Sequence, residues 1–312
     1  MASPNTLAGI NDDIIASGVI RGFTKKIAPL FAFSTDFSSE AVRPGEKISV
    51  LRDNDADTVT VEVQKVSHGA YAIGAADADA VEISLGQPFY VSWSLDDTEI
   101  AQSSVLSMEV FGERKGNRLA QYVLEGTGTA NGIWNSITAA NFLDVADVNK
   151  IVGADTAFTS DDIAKLAKMA DELDWPDEGR SVILNPVAYS EVVKDVDDFQ
   201  VPNSPGVTAF VEGKVPMLYG FQILKSNIIP ANAENLYGFA AHPSALATAF
   251  RYLSPQEGNT YFRAERVQGP GGIVLGLRDW YDNDTGVRKR VVETVFGTVA
   301  GLPTGMIRLV SA

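Results

Sequence analysis

The stretches GRSVILNPVAYSEVVKDVDDF (residues 179–199) and YGFQILKSNIIP (residues 219–230) decide how this chain folds. The apolar run Ser181–Leu184 predicts a buried strand, which stops at an Asn-Pro pair because proline cannot donate to a sheet ladder. Apolar residues at helical spacing predict a helix over Val187–Val196, and a Pro- and Gly-rich loop follows it. Gly220–Ile229 is predicted to be a second strand. These elements indicate an α/β unit.

Length and composition place the chain among folded globular proteins. Of its 312 residues, 45% are hydrophobic and 21% are charged, which suffices for one large core or two smaller ones. No apolar run has the length needed to cross a bilayer, and the N-terminus lacks the basic start and apolar block of a secretory signal. We therefore expect no membrane partner. The net charge of −15 argues against a protein that grips nucleic acid over a broad basic face.

The residues that common catalytic and metal sites need are absent or badly placed. Cysteine is absent and the histidines are His68 and His242, which excludes thiol chemistry and a histidine-rich zinc site. The run Asp53–Asp57 has the alternating carboxylates of a calcium loop, but Thr58 and Gln64 stand where its glycine and glutamate belong. We therefore expect no cofactor and no metal, and the residues give no specific support for catalysis.

Residues 1–40 are predicted to form an N-terminal arm that contains an amphipathic helix. Arg21, Lys25 and Lys26 make a small basic cluster on it. A solvated helix face is the simpler interpretation of three charges. Contact with DNA or with a scaffolding partner is the alternative.

Residues 41–98 alternate apolar and polar side chains in the manner of an extended β-hairpin. Two of the predicted strands carry an apolar row on one face. The rows are Val59, Val61 and Val63, and Phe89, Val91 and Trp93. A hairpin with a one-sided apolar face cannot bury that face alone, so we expect these rows to contact a neighbouring subunit.

The rest of the chain supplies further helices and strands. A long helix is predicted to start at residues 96–98 and to end at Gly126, although Gly112 and Gly116 each cost it about 1 kcal/mol relative to alanine. A second helix starts at residues 159–162, and a short one is predicted over Pro243–Phe250. The remaining predicted strands are Leu236–Ala240, Tyr261–Val267, Ile273–Trp280, Val287–Thr298 and Met306–Val310.

The order of these elements resembles that of tailed-phage major capsid proteins, which have the Hong Kong 97-like fold. GRSVILNPVAY followed by GFQILKSNIIP carries the resemblance, and GGIVLGLRDWYDNDTG at residues 271–286 supports it. The resemblance implies an α+β fold of four parts. They are an N-terminal arm at 1–40, an extended β-hairpin (the E-loop) at 41–98, a peripheral domain with its spine helix at 99–150 and 265–312, and an α/β axial domain at 151–264.

The same resemblance implies a structural protein: a major capsid subunit that self-assembles into an icosahedral shell around the double-stranded DNA of a tailed bacteriophage. Its expected partners are copies of itself in hexamers and pentamers, a separate scaffolding protein, and portal and decoration proteins. Packaged DNA would touch it weakly and without sequence preference. The expected location is the virion capsid, assembled in the host cytoplasm. Some relatives cross-link a lysine to an asparagine, but no asparagine matches as a partner for Lys47 or Lys65.

Two other functions stay open. A cellular nanocompartment shell of the encapsulin type shares the fold and would enclose an enzyme cargo instead of DNA. A β-rich glycan-binding module is the third alternative, since tryptophans can stack on sugars. The chain has four, Trp93, Trp134, Trp175 and Trp280, but tryptophans in a chain of this size are more often core or interface residues.

Overall fold

The computed structural model describes residues 7–38, 48–53, 78–86, 88–95, 105–127, 130–144, 146–197, 215, 217–230, 232–254, 263–269, 272–282 and 287–311. The helices in these ranges are α1 (Leu7–Ile27), α2 (Val105–Glu125), α3 (Ser160–Glu172) and α4 (Pro186–Asp197). The strands are β1 (Ser34–Asp36), β2 (Ile48–Asp53), β3 (Ala78–Ile83), β4 (Phe89–Leu95), β5 (Gly126–Thr127), β6 (Ala130–Asn131), β7 (Lys150–Val152), β8 (Ser181–Leu184), β9 (Met217–Leu218), β10 (Phe221–Lys225), β11 (Leu236–Ala241), β12 (Leu246–Arg251), β13 (Arg263–Gln268), β14 (Val274–Asp282), β15 (Val287–Ala300) and β16 (Met306–Val310).

Two six-stranded sheets organise the described part of the chain. In the first, which we call the β15 sheet, the order is β1-β12-β15-β14-β13, and β4 also pairs with β15. In the second, the β8 sheet, the order is β7-β16-β11-β8-β10-β9. Strands β2 and β3 pair with each other as a separate antiparallel ladder. The chain therefore mixes parallel and antiparallel strands with helices, which is the α+β class expected from the sequence.

The β8 sheet is built on the motif that predicted it. All four residues of β8 are buried, and the strand lies between β10, its parallel neighbour, and β11, its antiparallel one. Helix α4 then begins at Pro186, where the missing N–H of proline costs no helical hydrogen bond. The Asn185 side-chain oxygen accepts the Ala188 N–H at 2.7 Å and caps the helix start. The predicted strand, helix and strand are all present.

Helices α1 and α2 pack against each other through glycines. A β-carbon at Gly112 would lie 2.4 Å from the Ile15 carbonyl oxygen, and one at Gly116 would lie 2.0 Å from that of Val19. Because both contacts advance by four residues in the same direction, the two helices run parallel. Helix α1 is thus packed on its own chain from Ile15 onward, and its apolar residues Ile15, Val19, Phe23 and Ile27 are buried.

One predicted helix is wrong. Residues predicted as a helix over Pro243–Phe250 include strand β12, which pairs with β1 on one side and β15 on the other. Every residue from Leu246 to Phe250 is buried. The two ladders satisfy the backbone of this Ala-containing segment, so tertiary pairing overrides the helical propensity of alanine.

The C-terminal strands agree with the sequence pattern. Strand β16 has the predicted bounds Met306–Val310 and all five of its residues are buried. It lies between β11 and β7 in the β8 sheet, so the C-terminus returns to the sheet that the opening motif builds. No helix in the described ranges is long and apolar enough to cross a bilayer.

Candidate assembly surfaces and a basic groove

Strand β4 is covered by its own chain. It pairs antiparallel with β15, the Phe89 ring stacks on Phe296 with centroids 5.2 Å apart, and Val91 and Trp93 are only 8% and 6% exposed. The expectation that this row needs a neighbouring subunit is therefore wrong for Val91 and Trp93. The cause is that β4 joins the β15 sheet, so its apolar face meets the core of the same polypeptide.

The antiparallel β2–β3 pair is also anchored on its own chain. Ile48 and Ile83 are buried, and they pack with Ala247 and Ala249 of β12. Just after β3, the Gly86 N–H donates to the carbonyl of Phe296 at 3.1 Å. The second predicted row, formed by Val59, Val61 and Val63, lies outside the described residues.

The β8 sheet carries exposed apolar side chains at both of its edges. At the β7 edge, Val152 is 54% exposed and the nearby Val148 is 64% exposed. At the β9 edge, Met217 is 59% exposed and Tyr219 is 49% exposed. Strands β7 and β9 end the strand order, so these two apolar edges face away from each other. Edge strands also present unpaired backbone groups that suit pairing with another chain.

A buried arginine holds the segment that leads into the β7 edge. Arg308 on β16 donates to Asp144 and Asp147 at 2.7 Å each and to Glu234 at 2.6 Å. Asp144 in turn accepts the backbone N–H groups of Val148 and Asn149, both at 2.9 Å. A hydrogen bond from Lys150, followed by one from Arg308, lowers the pKa of Asp147. These charged hydrogen bonds fix the loop that presents Val148.

A groove of about 480 Å³ lies between α1 and α2. Its lining is Lys25, Lys26, Arg114, Asn117, Arg118 and Gln121. The groove joins two members of the predicted basic cluster to two arginines that the sequence analysis did not single out. A signal for them was present, because Arg114 and Arg118 are four residues apart and so share one face of α2.

Arg21, the third member of the basic cluster, is not among the groove-lining residues. Its guanidinium lies 2.7 Å from Glu109 and 3.6 Å from Glu113, both on α2. Lys25 lies at the longer distance of 3.9 Å from the same Glu113. The structure therefore divides the predicted cluster: Arg21 has close acidic partners, whereas Lys25 and Lys26 border the groove.

Solved structures share this architecture over most of the chain. The capsid structure of the cyanophage P-SCSP1u matches it with a TM-score of 0.57 at 18% identity, covering 89% of this chain and 86% of the phage chain. A structure from Mycobacterium phage Che8 gives 0.56 at 18% identity, covering 91% and 90%. The holo-SrpI encapsulin complex from Synechococcus elongatus PCC 7942 gives 0.54 at 12% identity, covering 91% and 88%. The chain has the Hong Kong 97-like fold.

The α+β, Hong Kong 97-like fold expected from the sequence motifs is therefore confirmed, and its division into an arm, an E-loop, a peripheral domain and an axial domain stays a prediction. No protein-family model and no curated protein sequence matches the chain. The Hong Kong 97-like fold is present in both phage and encapsulin structures at these low identities, so it does not by itself choose between the two.

Three of the four tryptophans are buried, which counts against a glycan-binding module. Trp93, Trp134 and Trp175 are between 1% and 6% exposed, so these three offer no aromatic platform for a sugar. The Trp175 indole donates to the Thr304 carbonyl at 2.7 Å, as a core tryptophan does. In the ranges that the structure describes, no group of three or more His, Cys, Asp or Glu side chains is placed to hold a metal ion.

Proposed function

We propose that this chain is the major capsid subunit of a tailed bacteriophage. Copies self-assemble into an icosahedral shell that encloses double-stranded DNA, and the chain catalyses no reaction. The observation that carries the proposal is the likeness to the cyanophage capsid subunit, which extends over most of both chains.

The two apolar edges of the β8 sheet suggest how copies meet. If the β7 edge of one copy lies against the β9 edge of the next, Val152 and Met217 become buried together. Such a head-to-tail contact is heterologous, and it closes into a ring when the rotation per copy divides the full circle. Rings of five and six copies are the pentamers and hexamers that an icosahedral shell requires. Each contact is small, and repetition around the shell makes the assembly strong.

The further partners belong to the same proposal. A separate scaffolding protein would guide assembly in the host cytoplasm, and portal and decoration proteins would complete the virion capsid. Packaged DNA would contact the inner wall without sequence preference. The overall charge of −15 agrees with such weak contact, because most of the surface repels DNA.

An encapsulin-like nanocompartment shell is the second candidate. The observation that favours it is the match to the SrpI encapsulin complex, whose coverage of this chain equals that of the Che8 phage structure. Under this alternative the subunit contacts are of the same kind, and only the contents differ: an enzyme cargo replaces DNA.

Electron microscopy tests both candidates. The full chain, expressed alone, should form closed icosahedral particles, or rings of five and six copies. Particles isolated from the natural source and treated with nuclease should then contain protected double-stranded DNA. A stoichiometric enzyme inside those particles, with no nucleic acid, would establish the nanocompartment instead. A chain that stays monomeric across concentration, salt and crowding conditions would count against both.

A further inference from the structure

The groove between α1 and α2 is basic on a chain that is otherwise acidic. The net charge is −15, yet the lining holds four cationic side chains, two amides and no carboxylate. A random sample of this surface would carry more acids than bases. The groove therefore concentrates positive charge, and it favours an anionic ligand.

The acids of α2 contact side chains other than the two groove arginines. Glu109 and Glu113 pair with Arg21, and the contact between Glu113 and Lys25, at 3.9 Å, joins a lysine whose side chain is 78% exposed. Glu125 accepts a hydrogen bond from the groove residue Gln121 at 2.9 Å. The acids of α2 thus leave the two groove arginines free of close carboxylate contacts.

Those two arginines are arranged for repeated anionic groups. Arg118 stacks on the Tyr122 ring at 4.4 Å and donates to the Gln121 side chain at 2.8 Å, so its guanidinium is held in place before any ligand arrives. Arg114 makes no ion pair with any residue that the structure describes. They are four positions apart on the helix, a rise of about 6 Å, and this length covers about two phosphates of one DNA strand.

We propose that the groove is a binding site for the phosphodiester backbone of double-stranded DNA. Arg114 and Arg118 each contact a phosphate, and Lys25 and Lys26 contact the backbone from the α1 side. Arg21 takes no part, because its guanidinium is already neutralised. The contact reads no bases, because the four side chains assigned to it are cations that meet phosphates. The site rests on the proposed function, in which DNA is the enclosed molecule.

The test measures DNA binding without requiring a shell. Full-length chain is captured on a sensor surface at a density too low for copies to touch, and two 30-bp duplexes of unrelated sequence are passed over it between 50 and 200 mM salt. We expect equal binding of both duplexes, with dissociation constants on the order of 10⁻⁴–10⁻⁶ M at physiological salt. In the double variant Arg114→Gln/Arg118→Gln, the slope of log affinity against log salt should become shallower by about 2.

Two matched variants distinguish binding at the groove from nonspecific attraction to surface charge. Lys168→Gln/Lys194→Gln removes the same two charges from exposed positions on α3 and α4, and it should leave the salt slope unchanged. Arg114→Lys/Arg118→Lys keeps the charges and should keep the slope. Circular dichroism verifies that each variant is folded, which is expected because all four positions are on the surface.

Three results would overturn the inference. The first is an unchanged salt slope in the arginine-to-glutamine variant, and the second is an equal decrease of that slope in the α3 and α4 control. The third is that the duplexes do not bind, whereas a poly-glutamate peptide binds and its binding is lost on the arginine-to-glutamine substitutions. The last would assign the groove to an acidic protein partner. None of these outcomes depends on particles being seen by microscopy, so the DNA-binding proposal and the shell proposal can be refuted independently.

Discussion

Gly116 and Val19 are in such close contact that a β-carbon on the glycine would lie 2.0 Å from the valine carbonyl oxygen. Real β-carbons do not approach backbone oxygen so closely, so the two helices could not keep this separation with any other residue. On the α1 side, a β-carbon at Gly22 would lie 2.3 Å from the Glu113 carbonyl oxygen. Both helices therefore contribute glycines to the contact. Each glycine lowers the helical propensity of its own helix but allows the two backbones to approach closely.

Gly116→Ala should destabilise the protein although alanine favours helix. Helical propensity alone would add about 1 kcal/mol of stability, but the clash with Val19 involves backbone atoms of α1 and forces the helices apart. We expect a net loss of about 1–3 kcal/mol, typical of overpacking, measured by urea unfolding. The control is Gly153→Ala, where the added carbon meets only the Tyr237 hydroxyl at 3.9 Å. A Gly116→Ala protein as stable as the parent would refute the packing argument.

The motif that predicted the fold is local, and that explains why it could be recognised. The burial of Ser181–Leu184, the stop at Asn185 and the helix start at Pro186 depend on neighbours within a few residues. Strand β16 could be predicted equally well, because a short apolar run near other predicted strands is typical of a buried strand. Such segments carry their own secondary structure signal.

The partners of β4 and β12 could not be predicted, because they lie far along the chain. Alternation in β4 indicates a one-sided apolar face, but the surface that covers it comes from β15, about 200 residues later. The alternation alone therefore leads to the expectation that another subunit covers this face. In β12, alanines that suit a helix are held in two ladders. A local pattern identifies the apolar face of a strand, but only the tertiary fold determines which element packs against that face.

The groove was missed for a similar reason. Lys25 and Lys26 are about 90 residues from Arg114 and Arg118, and they meet only because α1 packs along α2. The available signal was the pair of glycine spacings, Gly18 with Gly22 and Gly112 with Gly116. Two helices that each carry small residues four apart can approach closely, so these glycines indicate a helix pair as well as a loss of helical propensity.

Met217→Asp should prevent ring formation without unfolding the subunit. Its side chain is 59% exposed in the single chain, so a carboxylate there stays solvated in the monomer, but it would be buried without a partner against the β7 edge of the next copy. We expect loss of rings and particles by sedimentation velocity, with an unchanged midpoint of thermal unfolding. Val152→Asp should have the same effect from the opposite edge. Val187→Asp, on the exposed side of α4, is the control that should still assemble.

Alkaline pH should destabilise the subunit through Tyr237. Burial, with smaller contributions from the charges of Asp162 and Asp155, raises the pKa of its hydroxyl. The unfolded chain loses this proton near the ordinary tyrosine value of about 10, while the folded chain keeps it. The stabilisation is therefore complete below pH 10 and declines as the pH rises toward the folded-state pKa.

Tyr237→Phe isolates this contribution. The variant should match the parent in thermal midpoint at pH 7 and exceed it at pH 10.5, because phenylalanine has no proton to lose. Tyr281→Phe, at a position that is 47% exposed, should lose stability with pH as the parent does. Equal alkaline loss in the parent and in Tyr237→Phe would contradict the assignment.

Removing the charge of Arg308 should cost far more than removing a charge from the surface. Arg308→Met leaves Asp144, a carboxylate that is itself buried, without its cation, and breaking a buried pair costs about 3–5 kcal/mol. Lys165→Met breaks an ion pair of the same 2.7 Å length with Asp162, but the lysine is 65% exposed, so the expected loss is at most about 1 kcal/mol. Urea unfolding measures both. The double variant Arg308→Met/Asp144→Asn should recover part of the loss, because the stranded charge is then gone. If the single and double variants were equally unstable, the cost would come from packing around the long arginine side chain and not from the unpaired carboxylate.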